Sequence, residues 1–245
     1  MARFMGGLIR QDGREMSNGY KHQIYRSLNA FFRQAITLGW MATNPLDPIK
    51  PPPLDSGPKP RLQLEQIEQL LTAVSRTRCR HRNMALILLL LDSGLRRTEA
   101  AEIEIHYLDL AGQLVRVYNR KTYQWRFVPL GPLTVAAIER YLPERSPARP
   151  TNRLFLTEHG AELSPGAVSL LLQRLQRTVN FPLHPHLLRH TFANYYLAKG
   201  DLRTLQLILG HSDVRTTAML YTLPDMALIR SKHQQASPLA QLTAL

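Results

Sequence analysis

Arg96, Lys121, His186, Arg189, His211 and Tyr221 follow one another along a chain of 245 residues. Arginine presents a fixed fork of donors that matches phosphate oxygens two at a time. Lysine and histidine move protons, and a tyrosine hydroxyl can form a covalent phosphoester. Together these groups suit the cutting and rejoining of a nucleic-acid strand without a metal. Each also has a plainer role to set against that chemistry. Arg96 stands one turn before Glu99, so the two can form a structural ion pair. Lys121 can be an exposed turn lysine, and Tyr195 and Tyr196 are rival tyrosines whose place inside a helix favours core packing. His186 and His190 are four apart, a zinc-like spacing, but Leu187 stands where a zincin helix carries glutamate, and no metal site is expected.

The elements that must position these groups are legible in the pattern. Met84 to Leu91 is apolar all round and predicts a buried central helix, which Gly94 ends in a left-handed conformation and after which Arg96 opens a short helix. Leu114 to Tyr118 and Arg126 to Leu130 predict paired strands around the loop Asn119 to Gln124, which carries Lys121. Pro132 to Leu142 and Pro165 to Arg177 begin with proline at the first helical turn. His186 to Lys199 predicts a helix closed by Gly200, with His186 and Arg189 on one face and Asp201 capping the next helix. Glu65 to Val74 is a further amphipathic helix through Ile67, Leu70, Leu71 and Val74. The fold expected is mainly helical with a small antiparallel sheet.

Three segments, Ser93-Gly94-Leu95-Arg96-Arg97-Thr98-Glu99, His186-Leu187-Leu188-Arg189-His190-Thr191-Phe192-Ala193 and Leu209-Gly210-His211-Ser212-Asp213, closely resemble those of the tyrosine recombinases, or phage-type integrases, of the Xer-like kind. The resemblance runs from about Met16 to His233 and rests on the ordered set rather than on any one piece. It implies a site-specific recombinase in which Arg96, Lys121, His186, Arg189 and His211 surround the scissile phosphate and Tyr221 is the nucleophile, with Glu99 in support. It also implies a 3′-phosphotyrosyl intermediate, no cofactor, a double-stranded recombination site as partner and a homotetramer on two such sites. Lys121 precedes Pro129 of Phe127-Val128-Pro129-Leu130 by the offset at which similar hairpins carry their lysine. Tyr221 falls ten residues after His211, one more than is usual in the family. A helix turns about 100° per residue, so Thr217 to Leu220 is expected to depart from a regular helix. The alternative is a tyrosine segment that moves, with the tail Leu228 to Gln241 docking on a neighbour. Rival functions are a type IB topoisomerase, with the same chemistry, and a DNA-binding protein that has lost cleavage.

Composition agrees with a polyanion partner. The chain has 31 basic and 18 acidic residues, a formal charge of +13, and its 44% apolar content suits a packed core. The longest apolar run, Met84 to Leu91, is far short of the roughly 20 residues of a membrane span. The first residues lack a signal-peptide apolar region, and the single Cys79 permits no internal disulfide. A cytoplasmic, nucleoid-associated protein is expected. Prolines between Asn44 and Pro60 predict an extended linker at 45–60. It divides a short N-terminal helical domain at 1–44, which resembles only part of the family's usual DNA-binding domain, from a catalytic domain and tail at 61–245. Ser17 to Leu38 predicts one helix with an apolar stripe through Ile24, Leu28, Phe31 and Ala35. Its other stripe, His22, Arg26, Asn29 and Arg33, is a candidate DNA-facing surface, as are Arg120 in the hairpin loop and Gln173, Arg174 and Arg177 on the helix from Pro165.

Overall fold

The computed structural model describes residues 13, 15–53, 60–120, 123–210 and 226–241. The chain divides into two compact units, Met1–Pro58 and Lys59–Leu245.

In the first unit, α1 (Asn18–Thr37) starts at Ser17, whose hydroxyl accepts from the Tyr20 N–H. The prolines that follow do not lead straight away from this helix. The Tyr25 hydroxyl donates to the Ile49 carbonyl, His22 Nδ1 bonds the Pro52 carbonyl, and Asn44 Nδ2 donates to Asn29 Oδ1. Leu46 is fully buried beneath this return. The reason is geometric: His22, Tyr25 and Asn29 lie on one face of α1, where His22 and Tyr25 satisfy backbone carbonyls of a proline-rich segment poor in donors and Asn29 accepts from the Asn44 side chain. That face is therefore the covered one. Phe31, expected in the buried stripe, is 58% exposed, whereas Ala35 is buried.

In the second unit, α3 (Arg80–Ser93) is the central element, buried on every side from Ala85 to Ser93. α2 (Leu64–Ser75), α5 (Pro132–Tyr141) and α7 (Pro185–Lys199) pack around it. Between α3 and α5 lie the short α4 (Arg97–Ala101) and a three-stranded antiparallel sheet. Its strands β1 (Leu108–Asp109), β2 (Leu114–Asn119) and β3 (Gln124–Pro129) are ordered β1-β2-β3. Val115 pairs with Val128 and Val117 with Arg126, which sets these four residues on the covered face. Tyr118, Trp125 and Phe127 point outward. α6 (Pro165–Gln176) packs on α4, and α8 (Leu202–Leu209) packs on β3 and α7. Asp201 caps α8, accepting from the Thr204 N–H. Among the described residues no helix is long and apolar enough to cross a membrane.

Gly94 ends α3 with φ of 60°, and a Cβ there would lie 2.5 Å from Phe192 of α7 and 2.8 Å from Leu209 of α8. Glycine is thus needed both for the left-handed turn and for the close approach of three helices. The last described α-helix, α9 (Met226–Ala236), lies against α7 of its own chain. The fully buried Asp92 of α3 holds this end: its carboxylate accepts from the Gly131 N–H, the Thr134 hydroxyl and the Ser237 hydroxyl, and its backbone carbonyl bonds His233 Nε2. Replacing Asp92 with Ala strands three donors in a dry interior, so a loss of about 3 kcal/mol is expected. Chemical denaturation measures that loss, and amide exchange should rise first in 229–241. Unchanged exchange there would mean that Asp92 does not hold the tail.

Candidate active site

The site assembles where α4, β3, α7 and α8 meet. Arg96 precedes α4 in extended backbone, so its own N–H is left over at the helix start. Glu99, one turn later, takes that N–H on Oε2 at 2.8 Å and takes Arg96 Nη1 on Oε1 at 3.0 Å. The ion pair expected from spacing is present, but it is half of a larger arrangement. Arg126 of β3 reaches the same carboxylate from the opposite side, Nη1 to Oε1 and Nη2 to Oε2, both at 3.0 Å. Each carboxylate oxygen of Glu99 therefore accepts two bonds, which fills its acceptor capacity. Burial alone raises the Glu99 carboxyl, but the bonds and charge of Arg126, then those of Arg96, outweigh it and hold the pKa below the ordinary glutamate value. Glu99 is thus a fixed anion that orients guanidiniums. It is not a proton carrier.

Arg189 comes to the same place from the first half of α7. Its Nη1 donates to the Gly94 carbonyl at 2.6 Å and its Nη2 to the Leu209 carbonyl at 3.0 Å. The side chain is only 7% exposed. Burial first, then the positive charges of Arg96 and Arg126, depress its pKa to about 10, although Glu99 works the other way. It stays protonated at neutral pH. Among the described residues, three guanidiniums thus gather about one carboxylate, an imbalance that a bound anion would relieve.

His186 lies one turn before Arg189 on α7 and is exposed. Partial burial, then His184 and the charges of Arg189, Arg97 and Arg96, lower its pKa. Its imidazole is consequently neutral at physiological pH and able to accept or relay a proton. His184 belongs to the helix start, where its Nδ1 accepts from the Leu187 N–H at 3.1 Å. Tyr195 and Tyr196 are buried in the core, as expected, and burial raises both hydroxyl pKa values.

The remaining sequence candidates divide by place. Lys121, His211 and Tyr221 lie outside the described residues, as does the segment Thr217 to Leu220. Arg26, Arg33, Gln173, Arg174 and Arg177 are exposed, and Arg120 is exposed while paired to Glu102 at 3.0 Å. His22 and Asn29, from the same stripe as Arg26 and Arg33, are turned to Pro52 and Asn44 of the chain itself.

Two residues at the site were not among the candidates, Arg126 and Asn119. Both point inward from strands whose other inward residues are valines. That is the signal that could have found them, because a polar group on the core face of a strand must have a buried partner. For Arg126 the partners are Glu99 and the Ile208 carbonyl, and Asn119 Nδ2 donates to the Gly210 carbonyl at 3.1 Å.

Two outcomes follow from these charges. Because the Glu99 pKa is depressed on folding, its stabilisation is complete above the unfolded value of about 4.3 and fades as pH falls through the folded value. Glu99→Gln should cost about 3 kcal/mol at neutral pH, and that deficit should shrink on acidification; a deficit independent of pH would contradict the assigned charge. The ring protons of His186 should titrate below about 6.5 by NMR in the free protein, and the midpoint should rise when duplex DNA places a phosphate nearby. A midpoint unmoved by DNA would exclude His186 from the phosphate site.

Residues 60–227 match the pattern of the phage integrase family. Tyrosine recombinase XerC of Actinobacillus pleuropneumoniae serotype 7 is 35% identical over 219 residues, covering 88% of this chain and 71% of that protein. XerC of Azotobacter vinelandii is 34% identical over 223 residues, covering 89% and 74%. Among solved structures, the Tn1549 transposon integrase in complex with circular intermediate DNA aligns with a TM-score of 0.73 at 24% identity, over 94% of this chain and 82% of that one. A lambda integrase tetramer bound to a Holliday junction aligns with a TM-score of 0.68 at 18% identity, over 92% and 66%. These structural likenesses establish the fold. The family match takes in Arg96, Glu99, Lys121, Arg126, His186, Arg189, His211 and Tyr221, and with the XerC relatives it places this chain in the phage integrase family, the tyrosine recombinases.

Proposed function

We propose that the protein is a site-specific DNA recombinase that cuts and rejoins strands through a 3′-phosphotyrosyl intermediate. The observation that carries this is the set of guanidiniums around Glu99, in which Arg96 and Arg189 lie close enough to His186 to lower its pKa and positive charge is in excess among the described residues. In this mechanism the Tyr221 hydroxyl attacks the scissile phosphorus, the bond to the 5′-oxygen breaks, and Lys121 delivers a proton to that oxygen. Arg96, Arg189 and His211 stabilise charge on the non-bridging oxygens as it develops, the term that usually dominates such catalysis. His186 takes or relays the tyrosine proton. A 5′-hydroxyl from a second strand then attacks the phosphotyrosine and displaces Tyr221. One phosphodiester is exchanged for another, so no nucleotide is consumed. The arginines supply the charge neutralisation that metal ions supply in other phosphoryl transfers.

The partner is a double-stranded recombination site, with the protein acting as a tetramer on two sites in the cytoplasm. Phosphate contacts fall to the exposed Arg26, Arg33, Arg120, Gln173, Arg174 and Arg177, in keeping with the +13 charge.

The test uses nicked duplexes of randomised sequence, from which wild-type protein selects those it captures covalently. Wild type should give a denaturation-resistant adduct in chelator as well as without it. Tyr221→Phe should bind the selected duplex but form no adduct. Arg96→Ala or Arg189→Ala should slow adduct formation by about 100-fold or more. An undiminished adduct with Tyr221→Phe would move the nucleophile elsewhere, and loss of cleavage in chelator would point to a metal.

A further inference from the structure

We propose that Arg126 is a positioning residue of strand transfer: by occupying Glu99 it keeps the Arg96 fork open for phosphate. The inference rests on the recombinase function above. Arg126 spends every nitrogen of its guanidinium inside the protein, two on Glu99 and Nε on the Ile208 carbonyl at 2.7 Å. These bonds use three of its five N–H donors, and with the side chain only 11% exposed the guanidinium is committed to the protein interior. Arg96, by contrast, gives Glu99 one side-chain donor, Nη1, and its side chain is 26% exposed. What limits Arg96 to one donor is competition. A carboxylate beside an arginine favours the two-bond, fork-to-fork pair, and here Arg126 already holds that geometry. Without Arg126, the buried Glu99 would be left with one partner. Its strongest available compensation would be to draw the whole Arg96 fork inward, away from the phosphate.

The same guanidinium sets a second distance. Ile208, Leu209 and Gly210 present successive carbonyls at the end of α8, and these accept from Arg126, Arg189 and Asn119 in turn. Gly210 has φ of 61°, and a Cβ on it would sit 3.0 Å from the Arg126 guanidinium. Bare backbone at Gly210 therefore lets Arg126 lie flat between Glu99 and the helix end. His211 is the next residue in the chain. Arg126 thus ties Arg96 to the point from which the His211 segment starts.

A suppressor experiment separates this role from ordinary support of the fold. The probe is the nicked duplex that wild type captures from the randomised pool, in single-turnover cleavage with full-length protein. Arg126→Met should slow adduct formation by about 100-fold, with duplex affinity within about threefold of wild type. Adding Glu99→Gln removes the carboxylate that captures Arg96, so Arg126→Met with Glu99→Gln should recover at least about tenfold of the lost rate. Arg126→Met cleaving near the wild-type rate, or a double variant no faster than Arg126→Met, would overturn the proposal. If Arg126→Met does not fold, the double variant, which buries no unpaired charge at Glu99, carries the test. Cleavage faster than that of Arg96→Ala supports the role, and cleavage no faster overturns it. Absence of any adduct from wild type would instead refute the recombinase function itself, before any variant is compared.

Discussion

One carboxylate makes this site possible. Two unit charges 4 Å apart repel by about 4 kcal/mol at an effective dielectric of 20, and this protein gathers three guanidiniums in a partly buried place. Glu99 is the counter-charge that lets them coexist, with all four of its acceptor positions filled by Arg96 and Arg126. Among the described residues it does not neutralise the cluster fully. Burial first, and then this remaining positive charge, lower the pKa values of Arg189 and His186, and the remaining charge is what a phosphodiester would complete. The fold thus stores an electrostatic need at the point where chemistry is to occur, which is the form of preorganisation that phosphoryl transfer rewards.

The end of α8 is where this electrostatic constraint becomes a mechanical one. The last carbonyls of a helix lack partners within it and carry the negative end of its dipole. In place of water, two arginines and an asparagine from three different elements supply the missing donors. Arg189 also bonds the Gly94 carbonyl, two residues before Arg96. The ends of α3 and α8 are consequently fixed to each other through Arg189, one of the residues proposed to bind phosphate. Motion of either end would be reported at once in the geometry of the arginines.

Much of this was readable in the residues. Met84 to Leu91 is apolar on every face, and only a central buried helix satisfies that pattern. The proline and glycine punctuation placed most helix ends to within a residue or two, with Gly94 and Asp201 in the roles expected of them. The pairing of Arg96 with Glu99 followed from spacing. Arg126 did not, because its role depends on strand register. Trp125 and Phe127 point out, so Arg126 must point in, and the sequence reading placed it only at the start of a strand. The segment 45–53 was read as extended for its prolines, yet proline constrains local φ and says nothing about which distant face will accept its carbonyls. His22 and Asn29 look like free polar groups on a helix, but His22 was claimed by that segment and Asn29 by Asn44 just before it.

The central claim is that the guanidiniums act by neutralising charge on the scissile phosphate. The most direct measurement replaces that phosphate, in a captured nicked duplex, with an uncharged methylphosphonate, and compares wild type with Arg189→Ala. If Arg189 serves to neutralise charge, the variant should form the tyrosyl adduct far faster on the neutral linkage than on the phosphate, closing most of its gap to wild type. A deficit that stays as large on methylphosphonate as on phosphate would show that Arg189 only supports the fold, and would contradict this account of the site.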